Sequence, residues 1–318
     1  MAGRPKYSIV MPCYNHGRFV GAAIESILAQ TVADWELLVV DDGSSDNSPE
    51  VIQDFARRDP RIKFHRQKNA GQSVARNAAI AQAAGPWIAF IDSDDLWLPQ
   101  ALELFDRYMA ANSQTKFIHG RRQQLNEDGT ITACPPQFQD RPTGTVELFG
   151  RMFITQSCVC CRRELFGPDQ AGVYDPALRV CEDYDLLLRM SLYCRFDPLG
   201  EVTSARRRRH GTNISTQSGY TRMYEAMVLK RFAQRFGAKV QPGARDATLP
   251  PSVVKPRLRQ LYYAAGRQYF RHRGYTQAIG AVLRSFRYGI SPKQLLLSTG
   301  ALLLLPLNRR DPKTPPKI

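Results

Sequence analysis

The first ninety residues alternate in a way that few folds accommodate. Four short apolar runs, at 7–12, 35–40, 62–65 and 87–91, each stop at a polar loop. The stretches between them have helical character. Residues 18–29, for example, are apolar at 19, 20, 23, 24, 27 and 28, the spacing of one helix face. Pro49 opens a second helix, and 72–84 is an Ala-rich third that ends at Gly85. Strands separated by helix-length crossovers predict an α/β fold with a mostly parallel sheet and helices on both faces. The polar loops all follow strands, so Tyr14-Asn15, Asp41-Asp42 and Asp92–Asp95 are expected along one edge, where open α/β sheets bind ligands.

The fourth loop is the most telling. Asp92, Asp94 and Asp95 fall within four residues directly after a buried run. Like charges this close repel, and a desolvated cluster is costly unless a cation or solvent offsets it. Two readings fit the spacing: a site for Mg²⁺ or Mn²⁺, which take hard oxygen ligands, or a solvated acidic turn before the next helix.

Charge divides the chain. Residues 1–200 carry 21 Lys+Arg against 25 Asp+Glu, and residues 201–318 carry 23 against 4. The whole excess of +15 therefore belongs to the last third, which implies an anionic partner for it. Tyrosines and phenylalanines are interleaved with arginines over 258–288, in stretches of helical character at 220–236, 258–272 and 275–288, with a Pro-rich linker at 242–256. Residues 295–307 are strongly apolar but fall short of the roughly 18–20 residues of a spanning helix. They suit either an interfacial segment or internal packing. No recognised nucleic-acid motif accompanies the basic charge, which argues against nucleic acid as the partner. The first six residues lack the apolar core of a signal peptide. The crowded Cys158, Cys160 and Cys161 read as reduced small hydrophobes.

Further along, 99–111 reads as a helix, 117–120 and 157–161 as strands, 126–129 as a hairpin turn, and 163–167 as a short helix. Glu182-Asp183 then opens an apolar helix to residue 192, and four arginines, 206–209, precede His210.

Four motifs in register, SIVMPCYN at 8–15, LVVDDGSSD at 38–46, NAGQSVARN at 69–77 and FIDSDDLW at 90–97, together with Glu182-Asp183, resemble the family 2 glycosyltransferases over about residues 6–215. The resemblance implies a GT-A (Rossmann-like) catalytic domain, 1–215; the basic, aromatic-rich helical region that follows, 216–318, is expected from its charge and apolar content to associate with membrane. It implies inverting transfer from a nucleotide sugar, a UDP-sugar foremost, to a hydroxyl of a glycan or lipid-linked glycan in cell-surface polysaccharide synthesis. The enzyme would then be cytoplasmic and peripheral at the inner face of the membrane. A non-catalytic sugar-nucleotide-binding scaffold is the alternative, against which the intact acidic motifs argue.

By the same resemblance, Pro12 and Tyr14 lie against the nucleotide base and Asp42 accepts from it. Arg76 reaches towards the phosphates. Asp92 and Asp94 form the DxD element for Mn²⁺ or Mg²⁺, Asp94 as ligand and Asp92 facing ribose or metal, while Asp95 either joins them or caps the next helix. Asp183 is the catalytic base, and Glu182 supports the acceptor side. The segment 206–210 resembles the family's late Tyr-Arg-x-His element, with Arg207 where the tyrosine is expected, and it makes His210 a further metal-ligand candidate.

Overall fold

A computed structural model of the chain describes residues 3–133, 143–211, 218–236, 249–272 and 274–289. They form two compact units, one within Met1–Gly144 and Met152–His210, the other within Thr145–Arg151 and Gly211–Ile318.

The first unit is built on one nine-stranded sheet. Its first half follows the alternation of the sequence: β1 (Tyr7–Cys13), α1 (Gly17–Leu28), β2 (Trp35–Asp41), α2 (Ser48–Arg58), β3 (Ile62–Arg66), α3 (Gln72–Gln82) and β4 (Trp87–Phe90). These strands run parallel in the order β3-β2-β1-β4. All seven residues of β2 are buried, as its unbroken apolar run requires of a strand covered on both faces. Of its two carboxylates, Glu36 is matched inside the sheet: it accepts from Ser8 Oγ (2.6 Å), the Ala84 amide (2.7 Å) and Lys63 Nζ (2.5 Å). The neighbouring Gly85 is obligatory, because a Cβ at that position would lie 2.8 Å from the Ser8 backbone nitrogen.

The second half is mixed. After β5 (Leu96–Trp97) and α4 (Ala101–Ala111) come β6 (Phe117–Leu125) and β7 (Ile131–Ala133), the hairpin expected around 126–129. Then follow α5 (Thr145–Gly150), which groups with the second unit, β8 (Val159–Arg162), α6 (Glu182–Met190) and β9 (Asp197–Arg208). β8 runs antiparallel to both β4 and β6, and β9 runs parallel to β6 and antiparallel to β5. Nothing in the sequence pattern announced β9, whose DPLG start reads as a turn. The cysteines read as hydrophobes are that: Cys158, Cys160 and Cys161 are buried free thiols.

The second unit contains α5 and three further helices, α7 (Ser218–Phe236), α8 (Pro251–Arg271) and α9 (Tyr275–Phe286). The linker expected at 242–256 is helical from Pro251, with Pro256 inside α8. Residues 242–248 and the apolar 295–307 lie outside the described residues. α8 and α9 meet through small side chains, with Ala265, Ala278 and Ala281 fully buried, and Gly266 has no room for a Cβ beside Val282.

Candidate active site

The carboxyl ends of β1, β2 and β4 deliver three loops to one edge of the sheet, and the ends of β9 and α6 complete the site. Hydrogen bonds between the loops set its shape. Asn15 takes a left-handed conformation (φ 53°), so that its amide donates to Ser44 Oγ and its side-chain oxygen accepts from the Ser45 amide. Asp42 is buried and holds the loop before α3: Oδ1 accepts from Gln67 Nε2 and the Ala70 amide, and Oδ2 from the Gly71 amide at 2.8 Å. Gly43 (φ 74°) passes so close to Asn69 that a Cβ would lie 2.7 Å from its nitrogen. Asp41, fully buried, accepts from the Ser44 amide and pairs with Arg66. Beside these tied loops Tyr14 stands 48% exposed, its ring available for stacking, and Pro12 in β1 is half-buried.

The acidic cluster divides by environment. Asp92, Asp94 and Asp95 each offer an oxygen within 4.8 Å of the others. Asp95 does not cap a helix. It is buried, accepting from Ser157 Oγ (2.5 Å) and from the Arg208 amide (2.9 Å). Burial first, then Asp94 and Asp92, push its carboxyl well above the usual range. Asp92 and Asp94 remain partly exposed. Asp94 meets His210 Nε2 at 2.8 Å, and His210 lies stacked on Phe19 at 4.8 Å between ring centroids. A donor set of two accessible carboxylates with an imidazole beside them suits a divalent cation.

Helix α3 joins this cluster to Glu182-Asp183. Asn77 grips the backbone of Tyr174 from both sides, and Ser73 Oγ donates to the Leu178 carbonyl. Both contacts fix the segment leading into α6. Arg76, buried, spends one arm on Asp92 (2.8 Å) and the other on Glu182 (2.7 Å), with its guanidinium over the Tyr174 ring. A buried carboxylate needs such a partner. Even so, burial, followed by Asp183, pushes Glu182 up to about 7. Asp183 is also raised, chiefly by burial, with Arg76 opposing. It accepts from the Tyr184 amide at 2.7 Å in the first turn of α6, where the helix dipole favours its negative charge. Cys181, the residue before the helix, is left-handed (φ 59°), an uncommon backbone conformation for a residue other than glycine.

Every site residue expected from the sequence therefore gathers at this edge. The sequence had no sign of Ser93, Ser157, His16 or Phe19, which hold the acidic loop and His210. Lone serines and aromatics carry no pattern until β9 brings the segments together.

Comparison with known proteins gives the same outline. The profile of glycosyl transferase family 2 matches residues 8–167, just over half of the chain. An Escherichia coli UDP-Glc:alpha-D-GlcNAc-diphosphoundecaprenol beta-1,3-glucosyltransferase, WfgD, is 42% identical over 125 residues, 39% of this chain and 48% of that protein. The chain spans less than half the length of the curated relatives it matches. Among solved structures, S. aureus TarS in complex with UDP-GlcNAc superposes with a TM-score of 0.61 at 15% identity, covering 94% of this chain and 92% of that one. The mannosyltransferase PcManGT from Pyrobaculum calidifontis, in complex with GDP-Man and Mn²⁺, gives 0.60 at 16%, covering 96% and 81%.

Proposed function

The chain belongs to glycosyl transferase family 2, with the GT-A fold, and we propose that it catalyses inverting transfer of a sugar from a UDP-sugar to a hydroxyl of a glycan or lipid-linked glycan. The observation that carries this is the Asp92–Arg76–Glu182 chain, which ties a donor-side acidic loop to a candidate base one residue further on.

Donor binding falls to the tied loops. Tyr14 and Pro12 offer an apolar face to the base. Asp42 Oδ2 uses one of its two lone pairs on Gly71, leaving capacity for an N–H of a uracil ring. Arg76 acts on the nucleotide through Asp92, since its arms are already engaged there and at Glu182. Asp94 and His210 are the residues that would hold Mn²⁺ or Mg²⁺, which when bound neutralises the diphosphate leaving group, and Asp92, tied to Arg76, faces the ribose. Asp183 takes the proton from the acceptor hydroxyl as its oxygen bonds the anomeric carbon, and the bond from that carbon to the diphosphate breaks on the opposite face. Its raised proton affinity makes it a stronger base than a solvated aspartate. Glu182, held by Arg76, supports this side of the site.

The names of the relatives support the substrate classes: WfgD by its UDP-Glc donor and lipid-linked acceptor, TarS by its bound UDP-GlcNAc, and PcManGT by its Mn²⁺. For residues 216–318 we propose peripheral attachment to an anionic membrane at the inner face. The support is the charge excess, part of which is displayed by the exposed Arg231, Arg235, Arg267, Arg271, Arg284 and Arg287. Among the described residues no helix is long and apolar enough to cross a membrane.

Thermal stability against a panel of nucleotide sugars, with and without Mn²⁺, tests the donor site, because a ligand of the folded state raises the melting temperature. A metal-dependent rise with a UDP-sugar is expected. Asp183→Asn is expected to retain that rise while losing roughly 10²–10⁴-fold in turnover. A fully active Asp183→Asn removes Asp183 as the base.

A further inference from the structure

Asp94 faces more nitrogen than the DxD motif accounts for. One ring nitrogen of His16, a carboxylate oxygen of Asp94 and one ring nitrogen of His210 lie within 4.8 Å of one another. They come from three places in the chain: the loop after β1, the loop after β4 and the end of β9. His16 has the setting of a ligand. Its Nδ1 is 2.8 Å from Ser93 Oγ, the side chain between the two aspartates, and Nε2 has no hydrogen-bond partner among the described residues. In the tautomer whose Nδ1–H donates to Ser93 Oγ, Nε2 carries the lone pair that a cation needs. A hydrogen bond at one ring nitrogen is the usual device for orienting a metal-binding imidazole at the other. The rings of His16 and His210 meet edge to face at 5.8 Å, and Phe19 packs on both, edge-on to His16 at 5.9 Å and stacked on His210.

We propose that His16 is a third protein ligand of the divalent cation, beside Asp94 and His210, and that this set of two imidazoles and one carboxylate makes the site select Mn²⁺ over Mg²⁺. The inference rests on the metal reading given above. Mg²⁺ requires oxygen ligands and parts reluctantly with water, whereas imidazole suits first-row transition ions. Three protein ligands would leave room on the ion for diphosphate oxygens and water.

The test is direct ion binding by the full chain in the presence of UDP. Bound Mn²⁺ is read from the paramagnetic resonance signal of the free ion, and Mg²⁺ by competition. His16→Ala is expected to weaken Mn²⁺ binding roughly tenfold or more, with little change for Mg²⁺, so that the preference shrinks. His16→Gln, which keeps a polar group for Ser93 but has no imidazole, is expected to behave alike and stands in should His16→Ala fail to fold. Wild-type Mn²⁺ affinity and preference in a folded His16 variant overturn the inference. Asp94→Ala separates the two levels: if it too binds Mn²⁺ as wild type does, the metal reading itself fails; if it loses the ion while the His16 variants keep it, only the role of His16 falls.

Discussion

Arg76 is buried between two carboxylates, and its neighbours carry the electrostatic cost of that position. Glu182 keeps a proton affinity near 7 although a guanidinium touches it, because burial outweighs the pairing. The sign of the consequence is fixed. Between the unfolded value, about 4.5, and the folded value, about 7, the native state binds more protons than the unfolded chain. Stability therefore falls as pH rises through that window. Glu182→Gln removes this group's share, so its melting temperature should drop less between pH 5 and pH 7.5 than that of the wild type. Equal drops would show that Glu182 does not titrate there. The sequence displayed these charged residues clearly, since Asp, Glu and Arg in fixed motifs are informative by type and spacing. His16 and Ser93 were invisible as a pair, because their meaning comes from a contact between residues 77 positions apart.

Helices and strands were legible where periodicity was undisturbed. β1 to β4 and α1 to α3 stand close to where the hydrophobic pattern placed them, because β1, β2 and β4 are covered on both faces and each helix on one, while β3, the edge strand, buries Ile62. β9 escaped because Pro198 and Gly200 mask its start, and its pairing with β6 and β5 is non-local. The start of α8 escaped because Pro251 and Pro256 read as linker: Pro251 costs little at the first helical position, whereas Pro256 lies inside the helix, where it forgoes a backbone hydrogen bond. The packing of α8 on α9 yields a paired prediction. In Gly266→Val the new side chain meets Val282 and the Ala278 carbonyl, at 2.7 and 3.2 Å from the position of its Cβ, and should cost about 1–3 kcal/mol. Gly280→Ala meets nothing nearer than Arg284 at 3.9 Å and should stabilise by up to about 1 kcal/mol through helix propensity. Denaturant melts followed by circular dichroism check both. A harmless Gly266→Val would mean that the two helices do not pack as described.

Charge is distributed over the chain as a whole: near balance in the first 200 residues and +19 in the remainder. Attraction of that region to anionic lipid should be strong at low salt and weaken steeply as the Debye length shrinks to roughly 3 Å near 1 M. Co-sedimentation with phosphatidylglycerol-containing vesicles should show this, with little binding to purely zwitterionic ones. Equal binding to both, unaffected by salt, would assign the interaction to apolar contact instead. The sheet divides the protein in a second way. Its parallel strands end where Asp42 and Asp92 sit and begin at turns such as Asp59–Arg61 and Gly85-Pro86, which hold none of the site residues. Descent with modification can therefore proceed at two tempos within one sheet. Loops at the ligand edge can be rewritten to suit a new sugar or acceptor, while the opposite edge answers only to selection for a chain that stays folded.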